Sequence, residues 1–313
     1  MLSISFGGDV MFDRQIRKRL ETDSLHDLLT PLSQVWQKTD HVILNFETVS
    51  TDTPTPLVKQ FCFNSDPVHL QVLRNSGTTH LNLANNHSVD HGVRGLERTL
   101  RNIRKQKITP LGAGLGNSAC EPIILSNGVL KVAVFSSVLL PLEQWFNNQG
   151  KMCLCVEQPE TLAERIADYA KEHPEHHIIL QLHWGGEYQS IPVPQQMMEA
   201  KSLIKAGVDL IVGHHPHIWQ RITYIDDVPV VFSIGNLIFD SSREWTDHTG
   251  MLKTSWNKDG LTSLSIEPFM IKGGFPQEMK NEDRSRFVNE LNRIASGATI
   301  VDQEDETFCI RPQ

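Results

Sequence analysis

The pentapeptide GHHPH, residues 213 to 217, gathers three imidazoles within four positions, directly after the apolar run VDLIV. Neutral imidazole is the commonest side-chain metal ligand, so metal binding is the chemistry to test for. Other nitrogen and oxygen donors stand elsewhere: Asp9 in GGD, Asn45 and Glu47 in NFE, Asn85, Asn86, His87 and Asp90 in ANNHSVD, His183 in LHWGGEY, and Asn236 in SIGN. The set holds Asp, Glu, Asn and His without Cys, a mixture suited to Mn²⁺, Fe or Zn²⁺. Taken singly, most of these have ordinary structural explanations. Asp9 can cap a following helix, Asn85-Asn86 can form a turn, and His183 can be a hydrogen-bonded core histidine. Glu47 resists such an explanation, because a carboxylate straight after ILNF is partly buried and needs a partner.

These donors recur just past short β-rich runs, and the runs define the expected architecture. Strands are expected at 2–6, 41–47, 79–87, 130–138, 176–184 and 208–213, and helices at 13–21, 66–77, 93–106, 159–173 and 193–207. Pro67 and Gly77 bracket one helix, and Val93, Leu96, Leu100 and Ile103 repeat at helical spacing in another. Residues 221–240 read as a hairpin turning at Asp226-Asp227, with Asn236 inside it, and 282–295 as a last amphipathic helix. Alternating β and α elements imply a largely parallel sheet with helical cover, and the late hairpins imply an antiparallel portion. In open sheets of this class the C-terminal strand ends line the ligand crevice. No repeat or long linker divides the chain. Residues 1–280 are expected to form one domain with two sheets, with the helix and tail of 281–313 packed on it.

Composition narrows the function. The 313 residues are 39% hydrophobic and 21% charged, with a net charge of −8, so no global basic field favours nucleic acid. No stretch of ~18 apolar residues is present to span a membrane. The start, MLSISFGGDVMF, lacks the basic and apolar regions of a secretory signal. A cytoplasmic location is the resulting expectation. Cys62, Cys120, Cys153, Cys155 and Cys309 are odd in number and contain no C-x-x-C, so all five are expected as reduced thiols.

The segments GGDVMF, NFET, LANNHSVDHG, HWGGEY, GHHPHIWQ and FSIGNLIFD occur in the order of the CapA family. That family is named for poly-γ-glutamate capsule biosynthesis and resembles the calcineurin-like metallophosphoesterases. The resemblance covers residues 2 to 240. It implies a four-layer α/β/β/α sandwich of two mixed sheets flanked by helices, holding one or two divalent ions (Mn, Fe or Zn) at the strand ends. It further implies Asp9, Glu47, Asn86, His183, His215 and His217 as metal ligands, with Glu47 at the bridging position. His87 would be a general acid or oxyanion-stabilising group, and Lys59, Glu187, Tyr188 and Asn236 would line the substrate side. GHHPH is one residue longer than the usual G-H-x-H, which leaves the choice between His214 and His215 open. Asn45 and Asp90 are further candidates.

One departure stands out. Phosphoesterases carry D-x-H on the first strand, and this chain has Asp9-Val10-Met11. A thioether suits a hard ion poorly, and Asp13 is the nearby residue that could compensate. The expected function is a metal-dependent hydrolase or transferase acting on a phosphoester or a γ-glutamyl-type amide, in poly-γ-glutamate or peptide metabolism. Its substrate would be a small molecule or peptide, anionic in the capsule case, drawn in by the metal with Lys59 and Arg14. The alternative is a non-catalytic assembly or transport component of a polymer synthase with a structural metal.

Overall fold

The computed structural model describes residues 1–140, 152–240, 242–303 and 307–313. Two large sheets lie face to face. The ten-stranded sheet runs Ala298–Asp302, Phe308–Pro312, Gly260–Lys272, His248–Asn257, Leu2–Val10, His41–Phe46, His80–Asn82 and Thr109–Leu111, with Asn236–Ile238 beside the Leu2–Val10 strand and Phe275–Glu278 beside Gly260–Lys272. The six-stranded sheet runs Ile222–Ile225, Val228–Val231, Leu210–His214, His177–His183, Lys131–Val138 and Ile123–Ser126. The βαβ portions are parallel and the hairpin portions antiparallel.

Period-two alternation builds the layers, because successive strand residues face opposite sides of a sheet. Leu2, Ile4, Phe6 and Ile43 from one sheet meet Val132, Val134, Ile179, Leu210 and Val212 from the other in a shared core. The intervening Val42, Leu44 and Phe46 face outward onto helices carrying Ile16, Leu32, Leu70, Leu73, Leu96 and Leu100. Ala133, Phe135, Ile178, Leu180 and Ile211 face a second helical layer that includes Leu162, Ile166, Ala200 and Leu203. The result is the expected four-layer α/β/β/α sandwich. The helix Asn281–Ile294 inserts Phe287 and Leu291 into the inter-sheet core, and the tail adds two strands to the larger sheet. Among the described residues, no helix is long and apolar enough to cross a membrane.

Three expectations need correction. The strand at 79–87 shortens to His80–Asn82. Beyond it, the Asn82 and Asn85 side chains accept from the Ala84 and His87 amides and draw the chain into a turn. The hairpin does turn at Asp226-Asp227, between Ile222–Ile225 and Val228–Val231, but Asn236 is not part of it. Residues Asn236–Ile238 cross to the other sheet and pair in parallel with the first strand, Asn236 opposite Asp9. Finally, Cys120 and Cys155 form a disulfide, so five reduced thiols are not what the chain contains. The strand Met152–Leu154 pairs antiparallel with Ala113–Leu115, which brings the two Cα atoms to 4.8 Å, within bridging range. Cys62, Cys153 and Cys309 are free.

Candidate metal centre

The centre is where the inter-sheet core turns polar. Continuing each apolar alternation by two residues leads from Ile43 to Asn45 and Glu47, from Val134 to Ser136, from Ile179 to Gln181 and His183, and from Val212 to His214. Asp9 would fall on the wrong face by simple counting. Pairing with the second strand shifts between Gly7 and Asp9, so Gly8 is an extra residue and Asp9 stands opposite Asn45. Such a bulge re-aims a side chain. Gly8 is required there, since a Cβ would lie 2.0 Å from the Gly235 carbonyl oxygen. The GHHPH loop stores further strain, with His215 at φ +98° and His217 at φ +60°.

The converging groups form two triads that share one carboxylate. Ligand atoms of Glu47, His183 and His215 lie within 4.8 Å of one another, as do those of Asp9, Glu47 and His217. Asn86 joins the first triad, its Oδ1 lying 2.9 Å from His183 Nε2. Glu47 is fully buried, and neither of its oxygens receives a hydrogen bond from a donor among the described residues. His183 Nε2 and His87 Nε2 stand 3.8 Å and 3.9 Å from its Oε1. Burial, then the charges of Asp9, Asp90 and Glu187, pushes the Glu47 carboxyl well above its usual range. Burial opposes ionisation of Asp9 too, but His214 and His217 outweigh it and hold that carboxyl well below its usual range. Burial depresses His183 strongly and brings His215 to about 4, so both are neutral imidazoles near neutral pH, the form that binds metal. For His217 burial is outweighed by Asp9, and its pKa rises. Glu47, buried with both oxygens unsatisfied and facing the neutral imidazoles of His183 and His215, and Asp9, buried with one oxygen unsatisfied beside His217, fit divalent cations and are costly without them.

The two histidines left open within GHHPH differ in their surroundings. His215 belongs to the first triad and His214 to neither, although the buried Nδ1 of each has no hydrogen-bond partner among the described residues. His214 instead places Nε2 3.3 Å from Gln181 Oε1 and Nδ1 3.5 Å from Asp9 Oδ1, behind the triads. Asn45 is also a support. It donates to Asp9 Oδ1 at 2.8 Å while its own Oδ1 accepts from Asn82 and Asn85. Ser136 closes that network on Asn82. Asn82, Ser136 and Gln181 were not singled out from sequence, although their positions in the period-two pattern marked them.

His87 faces the triads from the side. Its Nδ1 lies 2.8 Å from Asp90 Oδ2, and Phe63 packs on its ring at 4.3 Å. Burial lowers its pKa, with Asp90 offsetting only part of that. Asp90 is itself anchored by the Phe63 amide and by Lys59, whose ammonium stands 2.7 Å from Oδ1 and also bonds the Asn86 carbonyl. Lys59 is thus engaged behind the centre, contrary to its expected place on the substrate side. Asn236 is similarly removed from that side: its Oδ1 holds His217 Nδ1 at 2.9 Å and it is buried. Glu187 is exposed at the rim, and the Tyr188 ring lies 5.9 Å from that of His217. Asp13 caps the helix Arg14–Leu20, accepts from the Asn64 amide and pairs with Arg17, so it does not compensate for Met11. Met11 is fully buried and packs with the helix-side core. Arg14 pairs with Asp240 at 3.5 Å.

The chain that carries this arrangement, at the strand ends of two stacked sheets, is similar to known proteins in sequence and in fold. The family model described as "Bacterial capsule synthesis protein PGA_cap" matches residues 3–241. The chain belongs to that family. The PGA biosynthesis protein CapA of Bacillus subtilis (strain 168) is 28% identical over 322 residues, covering 99% of this chain and 83% of that protein. Among solved structures, the NAD nucleotidase of Haemophilus influenzae superposes with a TM-score of 0.50 at 13% identity, covering 94% of this chain and 63% of that one. A 5′-nucleotidase precursor from Thermus thermophilus gives 0.51 at 12% identity, covering 93% and 59%. At such identities the likeness shows the metallophosphoesterase fold, and this PGA_cap chain spans less than two thirds of either neighbour.

Proposed function

We propose that the chain is a metal-dependent hydrolase acting on a γ-glutamyl-type amide or a phosphoester in poly-γ-glutamate or peptide metabolism. The observation that carries this is Glu47, fully buried, unsatisfied at both oxygens and common to two triads of ligand groups. Asp9, Glu47, Asn86, His183, His215 and His217 would hold one or two divalent ions. Such ions, when bound, polarise the scissile oxygen and make a water nucleophilic near neutral pH.

The chain's own groups supply the proton transfers. Asp90 is paired with Lys59 and takes the Phe63 amide, which supports reading its 2.8 Å contact with His87 as Nδ1–H donating to Oδ2, with the Nε2 lone pair facing the centre. Nε2 then takes a proton from the attacking water and returns it to the departing nitrogen or oxygen. Asp90 fixes the ring and its tautomer, as a carboxylate does for a general base elsewhere. The proposed role is therefore base first and acid second, in place of the expected general acid or oxyanion-stabilising group. The test is metal analysis of protein purified without chelator, coupled to turnover of γ-glutamyl peptides and phosphoesters. Turnover that disappears with chelator and returns with metal supports the reading. Stoichiometric metal with no turnover on either class would favour the structural-metal component.

A further inference from the structure

Beside the centre lies a cleft of about 280 Å³ between the turn at 243–248 and the helix Asn281–Ile294, lined in part by Tyr188, Arg243, Trp245 and Phe287. Its wall is joined to the metal centre twice. The Tyr188 ring lies 5.9 Å from the His217 ring on one side and carries the Arg243 guanidinium at 4.0 Å from its centroid. Asn236, which holds His217 through Oδ1, donates through Nδ2 to the Thr246 carbonyl, and Thr246 folds back on the Arg243 carbonyl. Two residues of this wall, Tyr188 at φ +61° and Trp245 at φ +66°, occupy the left-handed region, which ordinary side chains avoid. The Tyr188 amide is pinned to the Pro216 carbonyl inside GHHPH. Strain maintained in this way accumulates at ligand sites.

The charges around the cleft are unequal. Glu290 is engaged by Arg293 at 2.5 Å, and Glu244 stands 3.8 Å from Arg286, whose guanidinium lies over Trp245. Arg243 is exposed and, among the described residues, has no carboxylate partner. An arginine flattened on a tyrosine keeps its donor edge available for a planar carboxylate. Within an acidic protein, this is a local cation beside the centre, whereas Lys59 and Arg14 are engaged by Asp90 and Asp240.

We infer that Arg243, backed by Tyr188 and Trp245, is a subsite for a carboxylate of an acidic peptide-like chain whose reacting bond sits at the metal centre. The location rests on the hydrolase reading above. The recognition itself is read by binding alone, without turnover, so the two fail separately.

The experiment is calorimetric titration of metal-loaded protein with a short γ-glutamyl oligomer and with the same oligomer carrying amidated α-carboxylates. Wild type should bind the acidic oligomer more tightly. Arg243→Gln should weaken it about tenfold, the scale of one charge-assisted hydrogen bond, and leave the amidated oligomer unaffected. Trp245→Ala should weaken both oligomers, as the loss of an apolar wall requires. Equal binding of the two oligomers by wild type, or an acidic preference that survives Arg243→Gln unchanged, overturns the subsite.

Discussion

The two halves of the centre share Glu47 and differ in almost everything else. The first half has Asn86, His183 and His215 around that carboxylate, held by Asn45 and the turn at 82–88. The second has Asp9 and His217, and the residue two beyond Asp9 in the sequence is Met11, a thioether packed in the helix-side core. The first half is built from neutral donors and the second from an ionised Asp9 against a His217 whose pKa is raised. Donor number and geometry, more than charge, decide how tightly a divalent ion is retained. One half should therefore hold its ion tightly and the other weakly.

The largest effect should come from the shared residue. Glu47→Gln should remove both ions, seen as loss of metal in protein analysed after dialysis. The metal-free variant should also lose a pH dependence. The Glu47 carboxyl is raised in the folded state, so the fold retains a proton that the unfolded chain releases above the ordinary carboxylate range. Its contribution is present at low pH and declines as pH rises through the folded pKa. The difference in Tm between the two chelator-treated proteins should therefore move in favour of Glu47→Gln as pH rises from about 5 to 8. A constant difference would mean that Glu47 is not strained in the metal-free protein.

Next in size is the contrast between two imidazoles. His183→Ala should lose the tight ion and its stabilisation, about 2.7 kcal/mol when metal exceeds Kd a hundredfold. His217→Ala should lose only the weakly held ion, with a smaller fall in Tm. Equal losses of metal and Tm would break the asymmetry. His87→Ala, touching neither ion, should lower turnover about 10²-fold with metal content intact. Full turnover in that variant would exclude His87 as the proton carrier.

How far the chain could be read depended on periodicity. Strands and helices with clean spacing, such as 93–106 against the observed Gly92–Lys105, were legible because burial imposes the pattern. The donors were legible because they stand where apolar alternations end. What escaped was set by tertiary contact. The bulge at Gly8 depends on the Gly235 backbone more than two hundred residues away, although Gly7-Gly8 ahead of Asp9 was a signal for it. The Cys120–Cys155 bridge depends on two three-residue strands that no period reveals. Lys59 and Asn236 carry the right chemistry for a substrate pocket, and only their partners place them behind it.

The smallest effect should come from Met11→His, which tests the weak half directly. Met11 lies just past the strand that ends at Val10 and packs with the helix-side core, so an imidazole there must turn toward Asp9 to reach the weak half. The native thioether is fully buried and lies 2.9 Å from the Asp13 amide. Replacing it buries a polar ring, which costs stability unless the ring finds a partner. In the metal-free protein the variant should therefore melt below wild type. With metal in excess it should recover part of that loss and retain a second ion after dialysis that wild type releases, because one donor has been added to the poorer half. Generic phosphoesterase activity should rise with it, since two ions about 3.5–4 Å apart clamp the attacking and leaving oxygens of such esters. A wild-type protein that keeps two ions through the same dialysis would show the halves to be equal, and Met11 would then be a core residue with no bearing on the metal.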